Sequence, residues 1–208
     1  MKNFSKIKKV SLVLALCLSM LCATAKADTV GDFPDVPEDA PYAEALEFLA
    51  ELGIFQGDEQ GNFNPDKSIT RAEVTAVICR LVYVEEDAKS MIQQIFSDVP
   101  SSHWAVGYIA KAAELDIVGG YGNGNFGPSD PVTQEQIIKM LVCARGYGPD
   151  AEQAGGWPAG YVSVAKDLQI IGDGQNITNI AATRSEVATF SYNILRMPTA
   201  YENGGYVG

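Results

Sequence analysis

The chain has 208 residues, 47% hydrophobic and 20% charged, a composition that supports a packed core and excludes a disordered or collagen-like class. Its formal net charge is −11. Without residues 1–27, which carry Lys2, Lys6, Lys8, Lys9 and Lys26 and no acid, 10 basic residues face 26 acidic ones, a net charge near −16 that argues against nucleic acid and anionic membrane as partners.

Residues 1–27 have a basic start, an apolar run from Val10 to Cys22 and the small-x-small stretch Ala25 to Ala27. This is the pattern of a secretory signal peptide, too short for a stable membrane span. Cys17 and Cys22 leave with it, so Cys79 and Cys143 remain and read as small apolar residues rather than a disulfide framework.

From Phe33 onwards the chain repeats itself. Residues 33–82 reappear without a gap at 96–145, and a third, degraded copy follows in "WPAGYVSVAKDLQIIGD" and "ATRSEVATFSYNIL". That copy lacks the F-x-D-V start and has a shorter glycine loop. Each copy reads as helix, glycine-rich loop, helix. In the first helix Leu46, Leu49 and Leu52 correspond to Ile109, Ala112 and Leu115 and to Val162, Ala165 and Leu168. The loops, 57–64 and 120–127, hold Phe63 and Phe126 at matching positions, each two residues before a proline, and these read as aromatic plugs before rigid turns. The second helix shows Val74, Val77, Ile78 and Leu81, matched by Ile137, Met140, Leu141 and Ala144, the spacing of a buried stripe. Six short amphipathic helices, none able to bury its apolar face alone, predict an all-α fold in which three tandem helix-loop-helix repeats pack as one domain. The expected organisation is a signal peptide at 1–27, repeats at 28–84, 91–148 and 149–198, and a tail at 199–208.

The second helices begin with a capping pattern: Thr70 with Glu73, Thr183 with Glu186, and a weaker form at Thr133 with Gln136. Arg71 and Arg184 follow the capping threonines, where a cation opposes the helix dipole. Either such an arginine is solvated or paired with an acid, or it serves an anion lying over the same helix end. The second copy has Gln134 instead. Asp35 and Asp98 read as turn or cap residues, and His103 as capping or packing beside Trp104. An EF-hand reading of 62–73 fails, because Lys67 stands where the turn glycine belongs and Asn62 where the leading aspartate belongs.

Taken together, the F-x-D-V starts (33–36 and 96–99), "HWA" (103–105), "GGYGNGNFGP" (119–128) and "ITRAE" (69–73) resemble the S-layer homology domains of bacterial cell-surface proteins. The resemblance implies a pseudo-threefold bundle with grooves between neighbouring copies. It further implies non-covalent anchoring of an exported protein to secondary cell-wall polysaccharide, often bearing an anionic pyruvate ketal on an amino sugar. The ligand-binding residues it implies are Arg71, Arg184, Trp104, Trp157, Gly57, Gly120 and Gly172. Each tryptophan reads either as core or as a platform for a sugar ring. With Gln134 replacing the arginine, one groove of three is expected to be weak or empty; Pro41 stands where the second copy has Trp104, and the third copy has its short loop.

The expected location is the cell wall or surface layer, with the polysaccharide and other surface-layer proteins as partners. No catalytic residue, cofactor site or metal site is read, since one histidine leaves little for a triad or zinc. The alternatives are a surface-layer scaffold working through protein contacts and a wall-active glycoside hydrolase.

Overall fold

The computed structural model describes residues 33–197 and Thr199. The expected signal peptide and, apart from Thr199, the expected tail lie outside the described residues. Eight helices occur among them: α1 (Ala43–Glu51), α2 (Arg71–Leu81), α3 (Glu85–Ser90), α4 (Val106–Glu114), α5 (Gln134–Ala144), α6 (Gly148–Gln153), α7 (Ala159–Asp167) and α8 (Arg184–Leu195). The six expected helices are present as α1, α2, α4, α5, α7 and α8. The connectors α3 and α6 were not expected, because six residues hold under two turns and cannot display a periodic stripe.

The first-helix stripe is corrected at its third position. Leu46 and Leu49 are fully buried, but Leu52 is the C-cap and is exposed. The chain then turns through positive φ at Gly53, Asp116 and Gln169. Two reverse hydrogen bonds close each helix end, Ile54 N to Leu49 O (2.9 Å) and Gly53 N to Ala50 O (2.8 Å) in the first case. This Schellman motif puts Ile54, Ile117 and Ile170 into the core, while Leu115 and Leu168 pack half-buried against it.

The second helices α2, α5 and α8 touch one another around a central axis, and each carries a first helix from the next segment: α4 packs on α2, α7 on α5, and α1 on α8. The last pairing closes the ring, with Tyr192 donating to Glu44 at 2.7 Å. At the centre three backbone amides form a cycle. Val132 N donates to Ile69 O (3.0 Å), Ala182 N to Val132 O (2.8 Å) and Ile69 N to Ala182 O (3.3 Å). All three residues are fully buried, so each donor needs a protein partner and the cycle supplies it. The connectors press hard against the next first helix. A Cβ on Gly107 would lie 2.0 Å from Ala88 O, and one on Gly160 2.1 Å from Ala151 O. Cys79 is buried, where burial pushes its thiol up to about 12, and Cys143 is half-buried; both are free.

Candidate functional site

All three second helices start with a complete capping box. Thr70 Oγ1 accepts from Glu73 N (3.2 Å) while Thr70 N donates to Glu73 Oε2 (2.8 Å), and the same pair of bonds joins Thr133 with Gln136 and Thr183 with Glu186. In α2 and α8 the next two amides are also used, and in α5 Gln134 N donates to Ile180 O (2.9 Å). Arg71 N and Ala72 N donate to Asp130 O (2.9 Å) and Pro128 O (3.0 Å), and Arg184 N and Ser185 N to Lys67 O and Pro65 O (both 3.0 Å). An anion over the start of α2 or α8 would therefore find the first three amides already bonded.

The arginines turn away from their own helices into a neighbouring segment's loop. Arg71 donates through Nε to Phe126 O (2.9 Å) and through Nη2 to Gly119 O (3.0 Å), both in the second copy's loop region. Arg184 repeats this on the first, with Nε to Phe63 O (2.6 Å) and Nη2 to Gln56 O (3.0 Å). Gln134 takes the third place: its Nε2 donates to Glu186 (2.8 Å), and its Oε1 accepts from Thr178 N (3.2 Å). Burial pushes both arginines below their ordinary pKa, opposed for Arg71 by Tyr121, Asp130 and Asp98 and for Arg184 by Glu73, Asp35 and Asp58. Both remain cations.

The loops that receive the arginines are built from within. Asp35 and Asp98 are not local cap residues. Asp35 accepts Phe63 N (2.8 Å) and Asn64 N (2.6 Å), and Asp98 accepts Phe126 N (2.8 Å) and Gly127 N (2.7 Å). Phe63 and Phe126 are fully buried plugs. Gly57 and Gly120 owe their identity to crowding: a Cβ on Gly57 would lie 3.1 Å from the Gly61 carbonyl, and one on Gly120 2.6 Å from the Phe96 ring and 2.7 Å from Asn125 O. Gly172 has no neighbour within 4 Å of that position.

A pH dependence follows from the Asp98 clamp. Burial raises this carboxyl, but the Phe126 and Gly127 amides and the Arg71 guanidinium outweigh it and hold it below the usual carboxylate range. A depressed carboxylate stabilises the fold at pH above its unfolded value of about 4 and loses that contribution as pH falls through the folded value. Acid titration of unfolding by circular dichroism should show stability falling below pH of about 4, and Asp98→Asn should flatten the fall while costing about 1 kcal/mol at neutral pH.

Each groove is assembled from three segments. In the first, the loop residues Phe55 and Gln56 and the α2 residues Glu73 and Arg80 meet Trp104 of the second copy and Arg184 of the third segment around a hollow of about 100 Å³. In the second, the second copy's loop holds Arg71, and its α5 residue Lys139 places Nζ 5.6 Å from the Trp157 ring of the third segment. By the same rotation, the third groove combines the short loop of the third segment, Gln134 of the second copy and the Pro41 position of the first. The three departures from the motif thus fall in one groove and leave two intact. A wider hollow of about 430 Å³, lined by Gly172, Asp173, Lys166 and Asn193 among others, lies on the third segment without an arginine or aromatic side chain.

Both tryptophans stand at the surface, Trp104 58% and Trp157 47% exposed, which settles core against surface for each. Of the two roles expected of His103, it takes the packing one: its ring lies 5.8 Å from that of Trp104, while its Nδ1 accepts from Ala105 N (3.1 Å) in a local turn and caps no amide of α4. Beside Trp104, Arg80 donates to Glu85 (2.9 Å), which also accepts from the Tyr108 hydroxyl (2.8 Å). Sequence reasoning missed Arg80, Glu85, Lys139 and Tyr121, none of which recurs between copies. It also missed the Asp35 and Asp98 clamps, although the aspartate recurs in both F-x-D-V starts with the same loop downstream. Among the described residues no group of three or more His, Cys, Asp or Glu side chains could hold a metal ion.

The S-layer homology domain model matches residues 32–75 and 95–138, the first two copies of the ring. Two stretches of the chain are thus similar to S-layer homology domains. It is 35% identical over 202 residues to a cell surface protein of Thermoanaerobacter kivui, covering 95% of this chain and 25% of that protein. It is 32% identical over 187 residues to the middle cell wall protein of Brevibacillus brevis, covering 88% of this chain and 17% of that protein. Over 168 residues it is 30% identical to an exoglucanase of Acetivibrio thermocellus, covering 73% of this chain and 15% of that protein. The chain therefore spans a quarter or less of the length of these relatives. The domains and relatives indicate a cell-wall or cell-surface location. No helix among the described residues is long and apolar enough to cross a membrane.

Proposed function

We propose that the chain anchors an exported protein to the cell wall by binding an anionic, pyruvylated secondary cell-wall polysaccharide in the grooves between its segments. Residues 1–27 act as the signal peptide, and residues 149–198 form a third, diverged S-layer homology repeat. The observation that carries this reading is the convergence of Arg184, Trp104 and the first loop in one open groove. An exposed indole offers a face to sugar C–H groups, and a fixed guanidinium offers its remaining N–H groups to a carboxylate. Trp157 and Arg71 fill the same roles in the second groove. Gly57 and Gly120 let the loop backbones fold tightly at the groove edge, Gly172 lies in the open hollow of the third segment, and the groove holding Gln134 is the weak one. The molecule works as a binding module rather than a catalyst, and other surface-layer proteins are its neighbours on the wall.

Trp104→Ala should weaken binding by about fivefold, the equivalent of roughly 1 kcal/mol for one lost aromatic face, while leaving thermal unfolding near that of the parent. Co-sedimentation with native sacculi and with sacculi stripped of polysaccharide measures both parts. Equal binding to stripped walls would discard the polysaccharide as ligand, and unchanged binding of Trp104→Ala would discard the groove.

A further inference from the structure

The two intact grooves are not equal, because their arginines differ in access. Arg71 is only 7% exposed, with its guanidinium carbon 4.5 Å from the Phe126 ring centroid and 4.8 Å from that of Tyr121. Tyr121 is held there by its hydroxyl, which donates to Asp130 Oδ2 at 3.0 Å. The ring also packs close on the loop: a Cβ on Gly127 would lie 2.3 Å from Asp130 Oδ2 and 2.6 Å from Tyr121 Cε2. The position that corresponds to Tyr121 in the first copy is Asp58. Its carboxylate is occupied by Gln60 N, Asn62 N and Asn64 Nδ2 and has no ring to lay over Arg184. Arg184 keeps the floor contact, 4.8 Å from Phe63, but its second ring, Phe55, stands off at 5.7 Å. It is half-buried rather than buried, and its bond to Gln56 O lies at the surface.

We propose that Tyr121 is a specificity-determining lid: it occupies the approach to Arg71, so the Arg184 and Trp104 groove is the primary anion site and the Arg71 and Trp157 groove admits the same carboxylate ligand only when Tyr121 swings out. The inference rests on the anchoring function proposed above. Breaking one hydroxyl-to-carboxylate bond and one cation–π contact to open the lid lowers the binding-competent fraction of the second groove and weakens its apparent affinity in proportion.

The chain has two tryptophans, one in each of these grooves, so each groove carries its own reporter. Fluorescence titration uses the full chain as Trp157→Phe, reporting Trp104, and as Trp104→Phe, reporting Trp157. The probe is the methyl glycoside of an N-acetylhexosamine carrying a pyruvate ketal, with the ketal-free glycoside as control. The expected result is apparent affinity at Trp104 about tenfold tighter than at Trp157, as for a lid that leaves roughly a tenth of molecules competent. Adding Tyr121→Asp, which installs the first copy's residue, or Tyr121→Ser to the Trp104→Phe chain should bring the Trp157 response to within about threefold of Trp104. Equal affinities at the two tryptophans before that change, or no gain at Trp157 from either variant when circular dichroism shows both folded, would overturn the lid while leaving the anchoring reading intact. No response to the ketal-bearing probe at either tryptophan would remove both.

Discussion

Truncating Phe126 to alanine should lower the unfolding free energy by about 3–5 kcal/mol, read as a shift in the urea midpoint at unchanged slope. The ring is fully buried and sits 5.4 Å from Phe96, centroid to centroid, with the Arg71 guanidinium above it. Its backbone is equally committed, since its N–H goes to Asp98 and its carbonyl receives Arg71 Nε. The cavity would therefore open at the point where loop, F-x-D-V start and neighbouring helix start are joined, with few partners free to collapse into it. Phe63 holds the corresponding place among Phe33, Tyr42 and Phe55, and Phe63→Ala should fall in the same range. A loss below about 1 kcal/mol in either variant would mean that the loops are not part of the cooperative core.

The helices and their caps were legible in the sequence because they depend on local spacing. Thr70 with Glu73 declares a helix start within four residues, and Val74, Val77, Ile78 and Leu81 declare its buried face. The Thr133 and Gln136 box, the weakest of the three by residue type, is as complete as the others. What the sequence concealed is the direction of the ring. Three helix-loop-helix segments in a row do not say whether Arg71 reaches its own loop, the next or the previous one, since that choice is made by tertiary packing of α4 on α2 and α1 on α8. The defects at Gln134, at Pro41 and in the third loop therefore looked scattered over three segments. Once each groove takes its loop, its aromatic and its N1 side chain from different segments, the same defects coincide. The clamps of Asp35 and Asp98 stayed hidden for a related reason, because their partners lie 28 and 29 residues downstream and no local rule links them.

Arg71→Ala should destabilise the domain by about 2–4 kcal/mol, because it leaves two loop carbonyls without their charged donor and removes a side chain that is almost fully buried. A cation at the first helical position is tolerated because the long stem carries the guanidinium away from the helix end and sets it among the carbonyl oxygens and rings of the adjacent copy. The same side chain is thus the joint between copies and, under the proposed anchoring function, the cation of a groove, so deleting it would disturb fold and binding together. Arg184→Ala should cost less than Arg71→Ala, since its bond to Gln56 O is solvent-exposed. Gln134→Ala should cost the least, about 1–2 kcal/mol, since an uncharged side chain gives up its bonds to the Glu186 carboxylate and to Thr178 N. Urea unfolding of the three variants tests that order. An Arg71→Ala domain as stable as the parent would show that the joint is held elsewhere.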